Sequence, residues 1–183
     1  MKVAVFGRMF TDDRFSYMQL LIDKLQNEGV SIMISDDFYE FIRTGVVITQ
    51  PVTTFNKQSN LSGLVDYLIS VGGDGTMLDA ITYVGNSGIP VMGINLGRMG
   101  FLSAIHRDNI AEAIDALIHK TYRIDKRSLL RLETDSNLFG EYNYALNELT
   151  INKKDTGSMI LVSVYVDNIL LNAYWGDGVI IAT

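Results

Sequence analysis

The chain has no cysteine and only two histidines. Without cysteine, a disulfide framework, a thiolate metal site and a thiol nucleophile are excluded. His106 reads as a loop residue and His119 suits the carboxyl end of a helix. No metal-ligand cluster and no Ser-His-Asp set emerges, so the expected metal site is none. Long apolar runs are also missing. The best, Met159 to Leu171, is cut by Asp167 and Asn168 and falls short of the roughly eighteen residues of a membrane span. Val3 to Phe6, after a single lysine, is too short for a secretory signal. Basic residues are in deficit, 15 Lys and Arg against 21 Asp and Glu, for a net charge of −6. Neutralising a nucleic-acid backbone needs clustered cations, and the densest stretch, Arg123 to Arg127 with Arg131 beyond it, reads as a solvated connector. The expectation is a cytoplasmic protein that engages neither nucleic acid nor membrane.

What is present is a large apolar fraction, 48% of 183 residues, enough for one domain or for one domain and part of a second. Lys2 to Phe6 reads as a buried strand. Thr11-Asp12-Asp13 supplies helix-start chemistry for Phe15 to Asn27, where Tyr17, Leu20, Leu21, Lys24 and Leu25 follow the helical period and Gly29 is the stop. A strand at Val30 to Ile34 and a helix near Asp37 to Arg43 follow. Residues 44 to 63 read as loops. Tyr67 to Val71 is an apolar strand, Met77 to Tyr83 a helix, and Pro90 to Ile94 another strand. Ile110 to His119 is an amphipathic helix with Asn109 and Glu112 at capping-box spacing. Alternating strand and helix predict an α/β fold, an open and mostly parallel sheet covered by helices.

Beyond Tyr122 the texture becomes all-β. Leu129 to Glu133, Tyr142 to Asn152, Met159 to Val166, Ile169 to Tyr174 and Val179 to Ala182 read as strands, with Asp167-Asn168 as a two-residue hairpin turn. The division expected is 1–124 for an α/β nucleotide-binding domain and 125–183 for part of a sandwich-like β domain. Val179 to Ala182 is a buried-type strand with one residue after it. The β domain is therefore expected to be truncated here, or covered by a partner subunit.

The chemistry concentrates at strand ends. Gly72-Gly73-Asp74-Gly75-Thr76 lies where a strand gives way to a helix, the ligand edge of an open α/β sheet. Glycines let the backbone approach phosphate oxygens closely, and Thr76 is placed to cap a helix whose amino end favours an anion. No lysine follows the last glycine, so this is not a Walker loop. A carboxylate beside phosphates is repulsive unless it faces a hydroxyl or a metal. Asp74 should therefore take a proton from an attacking hydroxyl, orient that hydroxyl, or hold Mg²⁺ indirectly. A second glycine loop, Asn95 to Phe101, ends the next strand; parallel neighbours put both loops on one edge. There Arg98 either meets a phosphate or is a solvated loop cation, and Phe101 either walls the pocket or is ordinary core. Asn147 and Glu148 interrupt a β pattern. Regular pleating sends them to opposite faces, so for both to touch one ligand the strand must bulge or end there. Gly176-Asp177-Gly178 reads as a turn.

These segments resemble NAD kinase. The resemblance rests on Gly72-Gly73-Asp74-Gly75-Thr76, on Gly93-Ile94-Asn95-Leu96-Gly97 continuing to Gly100-Phe101-Leu102, on Ala145-Leu146-Asn147-Glu148, and on Asp177 to Thr183, in the family's order and at about its spacing. It implies transfer of a phosphoryl group to the 2′-hydroxyl of the adenosine ribose of NAD, giving NADP, with ATP and Mg²⁺ or polyphosphate as donor. The site is expected between an α/β domain and a β-sandwich in a homo-oligomer, dimer or tetramer. Asp74 matches the family's aspartate that activates or orients the hydroxyl. Gly72, Gly73, Gly75 and Thr76 match its phosphate loop, Asn147 and Glu148 its nucleotide-binding pair, and Asp177 an acid lining the dinucleotide site. Asn95, Gly97 and Phe101 belong to the second matching loop and are expected at the nucleotide. Relatives of the first motif occur in lipid kinases, so a lipid-kinase-like phosphotransferase is one alternative; a truncated, non-catalytic dinucleotide-binding module is another.

Overall fold

Alternation within single strands sets the layers. In the computed structural model, which describes residues 1–97, 100–140, 143–154 and 157–183, the first strand, β1 (Lys2–Gly7), turns Val3 and Val5 to one core and Ala4 and Phe6 to another. The fourth, β4 (Tyr67–Val71), likewise splits Ile69 and Val71 from Leu68. A strand buried on both faces needs a helical layer on each side, and the helices divide accordingly.

Three helices cover the first face. Helix α1 (Phe15–Asn27) buries Met18, Leu21, Ile22 and Leu25, one stripe at helical spacing. Helix α2 (Asp36–Ile42) adds Phe38 and Ile42, and α4 (Ile110–His119) adds Ile110, Ile114 and Leu117. Helix α3 (Asp74–Val84) packs on the other face through Ala80, Ile81 and Val84, beside Leu61 and Val65 of the loop that precedes β4.

The sheet is completed by β2 (Ser31–Ser35), β3 (Thr53–Phe55), β5 (Val91–Asn95) and β6 (Ile105–His106). Its order is β3-β2-β1-β4-β5-β6 and every pairing is parallel. The chain starts in the middle, winds outward to β3, then crosses to β4 and winds the other way. The strand order therefore reverses between β1 and β4, where such sheets open a crevice at the carboxyl edge. Both margins are short, three residues in β3 and two in β6.

The predicted parallel sheet with helices on both sides is present, with four local corrections. The 44–63 stretch contains β3, and His106 lies in β6 rather than in a loop. Asn109 makes no side-chain cap to α4; the preceding turn, 107–109, is capped instead by the His106 ring accepting from the Asp108 N–H. Helix α3 begins at Asp74, inside the glycine motif, with Gly73 as its N-cap, so Thr76 does not cap it.

After α4 the chain forms antiparallel pairs: β7 (Leu129–Arg131) with β8 (Tyr144–Leu146), β9 (Glu148–Asn152) with β12 (Gly178–Ala182), and β10 (Ile160–Val166) with β11 (Ile169–Gly176). Asp167 and Asn168 both take positive φ in the β10–β11 turn, as a two-residue hairpin requires. The first pair docks on α3: Leu129 and Leu146 pack against the Ala80, Ile81 and Val84 cluster. The other pairs are barely covered. The pattern of β12 predicts burial, yet Ile180 and Ile181 are exposed, as are Leu161, Ile169 and Trp175.

Candidate active site

The loop after β4 is shaped by one glycine. Gly72 sits at φ +152°, and a side-chain carbon there would lie 2.8 Å from Cβ of Thr76. Thr76 is buried against that glycine, so it packs the loop and offers little to a ligand. The Gly72 N–H donates to the Ile94 carbonyl (2.9 Å), and the Thr76 and Met77 N–H groups both donate to the Gly73 carbonyl (3.0 and 3.1 Å). The loop is thus tied to β5 on one side and folded into α3 on the other.

Asp74, the first residue of α3, points at the second loop. Its Oδ2 accepts from the Phe101 N–H (2.8 Å), and its Oδ1 from the N–H groups of Leu102 and Ser103 (both 3.0 Å). Gly100 lies directly beneath the carboxylate, in space a side chain would overlap. On its far side the same strap presses on β5: a side-chain carbon at Gly93 would come within 2.9 Å of the Ser103 Cα. Residues 100–103 are therefore held between Asp74 and Gly93.

Three main-chain donors stabilise the charged carboxylate. Those of Ser103, then Phe101 and Leu102, hold Asp74 below the ordinary carboxyl range, against the opposing effect of partial burial. Such a group is a weak base. A carboxylate offers about four acceptor positions; with one taken on Oδ2 and two on Oδ1, a single position on Oδ2 stays open among the described residues. The arrangement can accept one hydrogen bond from one hydroxyl, in a fixed direction.

The other predicted residues fall into separate places. Asn95 is buried at the end of β5, and its Oδ1 accepts from the Gly97 N–H (2.8 Å), closing the turn that starts the second loop. Arg98 lies outside the described residues. Phe101 is 97% exposed, so it is neither core nor, in this state, a wall against other groups. Asn147 breaks the strand at φ +78° between β8 and β9, and its Nδ2 donates to the Glu148 carboxylate (3.4 Å). The break brings the two side chains together where regular pleating would separate them. The Thr183 N–H donates to the Asn147 carbonyl (3.0 Å). Asp177 is not with them. Gly178 pairs with Asn152 and Ala182 with Glu148, which sets Asp177 just past the other end of the ladder, about 17 Å along the strand direction from the level of Glu148. There it forms an ion pair with Lys153 (2.6 Å).

Two cations at this edge escaped the sequence reading. Arg8 follows β1 directly, pairs with Asp79 of α3, and has Nη1 3.9 Å from where a Gly75 side chain would begin. Arg14 holds its guanidinium 3.8 Å from the equivalent point at Gly97. Arg8's place follows from the strand order: in an open parallel sheet, residues just after the central strand stand at the crevice.

Fold and site together define a doubly wound α/β protein with an acidic glycine loop at its switch point, continued by antiparallel β pairs. The chain belongs to the ATP-NAD kinase family, whose ATP-NAD kinase N-terminal domain matches residues 17–122. It is similar to the NAD kinases of Cytophaga hutchinsonii (38% identity over 181 residues, 98% of this chain and 62% of the relative) and Flavobacterium psychrophilum (38% over 185 residues, 100% and 63%). The chain thus spans somewhat under two thirds of the relatives it matches. In fold it resembles yeast NADH kinase complexed with NADH (TM-score 0.77, 19% identity, 99% of this chain and 57% of that one). It also resembles an Archaeoglobus fulgidus NAD kinase in complex with ATP (TM-score 0.69, 23% identity, 100% and 60%).

Proposed function

We propose that this chain carries the catalytic loop of an NAD kinase, transferring a phosphoryl group from ATP, or from polyphosphate, to the 2′-hydroxyl of the adenosine ribose of NAD. The observation that carries the reading is Asp74: a rigid carboxylate with one acceptor position open, at the edge where nucleotides bind in such sheets. Phosphoryl transfer through a loose transition state asks for alignment of the acceptor more than for a strong base. A carboxylate held in its charged form by three N–H groups suits alignment.

In this reading residues 1–124 form the nucleotide-binding domain, and residues 125–183 contribute Asn147, Glu148 and Asp177 to the dinucleotide. Gly72, Gly73 and Gly75 leave room for phosphates, Asn95 and Gly97 shape the second loop, and Phe101 turns onto the bound nucleotide. Arg98 is proposed to meet a phosphate. Among the described residues no group of three or more His, Cys, Asp or Glu is placed to hold a metal ion, so Mg²⁺ arrives chelated by the triphosphate. No described helix is long and apolar enough to cross a membrane. We place the protein in the cytoplasm as a homo-oligomer.

The test is NADP formation from NAD, ATP and Mg²⁺, followed with an NADP-specific dehydrogenase. Asp74→Asn puts an amide NH₂ against one of the three N–H donors and cannot serve all of them. It is expected to abolish turnover while largely keeping NAD binding. Wild-type rates from that variant would refute the role given to Asp74.

A further inference from the structure

Two arginines meet at the second glycine loop, on the face of the sheet turned away from Asp74. Ile94 and Leu96 belong to the core beneath α1 and α4. Alternation turns Gly93 the other way, and it is from there that the Asp74 strap presses on β5. Arg14 ends the turn leading into α1, and Arg107 opens the turn leading into α4. The Arg107 Nη1 donates to the Leu96 carbonyl at 3.5 Å. Both Nη atoms of Arg14 lie 3.8 Å from where a Gly97 side chain would begin. We infer that Arg14 and Arg107 form a binding site for one phosphoryl group, separate from the site of the reacting nucleotides. The inference does not depend on the kinase reading; it gives the molecule a second anion site, behind the loop that carries the strap.

Three observations carry it. Neither arginine makes an ion pair among the described residues, and the Nε of each is buried there without a hydrogen-bond partner. Buried N–H donors normally have partners, and a half-buried guanidinium without a counter-charge carries an uncompensated desolvation cost. An oxyanion between the two would give acceptors to both forks. The geometry, moreover, is set before a ligand arrives. The Arg107 guanidinium lies over the Tyr17 ring, 5.0 Å from its centroid, and Gly97 leaves the space before Arg14 clear. Finally, the backbone adds to the positive field: α1 and α4 pack together and both begin at this point, amino ends toward the arginines.

The neighbouring acids limit the size of the occupant. Asp12 and Asp13 precede Arg14, Asp108 follows Arg107, and all three are exposed. Asp13 is engaged by the Thr11 hydroxyl and Asp108 by the His106 ring. The Thr11 hydroxyl first, and then Arg14 and Arg107 from farther off, hold the Asp13 carboxyl below its ordinary range against desolvation. Both guanidinium groups thus act on one small region. An outer ring of three carboxylates repels a long polyanion, whereas two inner cations match the two charges of a single phosphate.

The test is a titration of the chain with inorganic phosphate at constant ionic strength, read on the arginine Nε–H resonances. Two Nε signals, assigned by their loss in Arg14→Gln and Arg107→Gln, should shift together and saturate. Each substitution should weaken phosphate about tenfold or more. Arg14→Lys should weaken it less than Arg14→Gln, because the charge stays while the fork goes. Saturating NAD or Mg²⁺·AMP-PNP should leave the phosphate affinity unchanged. Nε signals that phosphate leaves unmoved, wild-type phosphate affinity in either folded Gln variant, or displacement by NAD or AMP-PNP would each overturn the assignment. If one Gln variant fails to fold, the other and the wild-type titration decide. Tighter binding of glycerol 3-phosphate than of phosphate would identify a monoester as the occupant, and weaker binding free phosphate; either supports the site.

Discussion

Gly93→Ala is a one-carbon test of the strap that fixes Asp74. The new methyl would face the Ser103 Cα at 2.9 Å. Reaching the optimal 3.5–4.0 Å between carbons requires a displacement of roughly 0.6–1.1 Å. The neighbour is backbone in a loop fixed on its other side by the hydrogen bond from Ser103 N–H to Asp74, so rotating a side chain gives no relief. Overpacking of this kind costs about 1–3 kcal/mol, which for a chain of this size lowers Tm by roughly 2–12 °C. The displacement also carries the Asp74 carboxylate off line, and a misplacement near 1 Å reduces a positioned reaction by about 100-fold. Thermal unfolding by circular dichroism and the coupled NADP assay read the two effects. Ser103→Gly in the same background should rescue neither, because the clash is with Cα. A Gly93→Ala protein with wild-type Tm and wild-type turnover would refute the close approach and the positioning role together.

Other perturbations separate the remaining parts. Asp74 has a folded pKa below its unfolded value, so its stabilisation of the strap is present above the ordinary value of 3.8 and is lost as pH falls through the lower folded one. The amide resonances of Phe101, Leu102 and Ser103 should stay unchanged from neutrality down to that range and shift only below it. Tyr67, donating to or accepting from Tyr122 at 2.7 Å, is pushed up to about 12, first by that bond and then by burial. Stability is thus full below the unfolded tyrosine pKa and declines as pH rises from there toward 12, a decline that Tyr67→Phe should blunt in alkaline melts. Asp177→Asn breaks an exposed ion pair with Lys153 worth about 0–1 kcal/mol. Tm should hardly move, and a rise in KM for NAD would mark the dinucleotide role.

Long periodic elements were legible because their burial is one-sided or complete. Helices Phe15–Asn27 and Ile110–His119 and strand Tyr67–Val71 lie where apolar spacing puts them. The two short margins were not: three residues in β3 and two in β6 carry no period, and they are strands only because a neighbour pairs with them. Of the site, the glycine loops could be read from strand-to-loop transitions, and the break at Asn147 from two polar residues in a β pattern. The Asp74 strap could not, since its donors are main-chain groups with no residue signature. Arg8 and Arg14 needed the strand order, which a linear reading does not supply, and Thr76 passed for a cap until α3 proved to start three residues earlier, at Asp74.

The tapered margins also decide where this chain can recruit another one. An open sheet edge is a template for strand addition, and very short edge strands are a recognised defence. The parallel sheet has that defence on both sides. The pairs β9–β12 and β10–β11 do not: their strands run five to eight residues, pair with no third strand among the described residues, and carry exposed Leu161, Ile169, Trp175 and Ile180. Self-association under stress should therefore begin in residues 148–182 and leave the parallel sheet folded. A polar substitution at Ile169 or Trp175 would improve colloidal behaviour without touching the crevice.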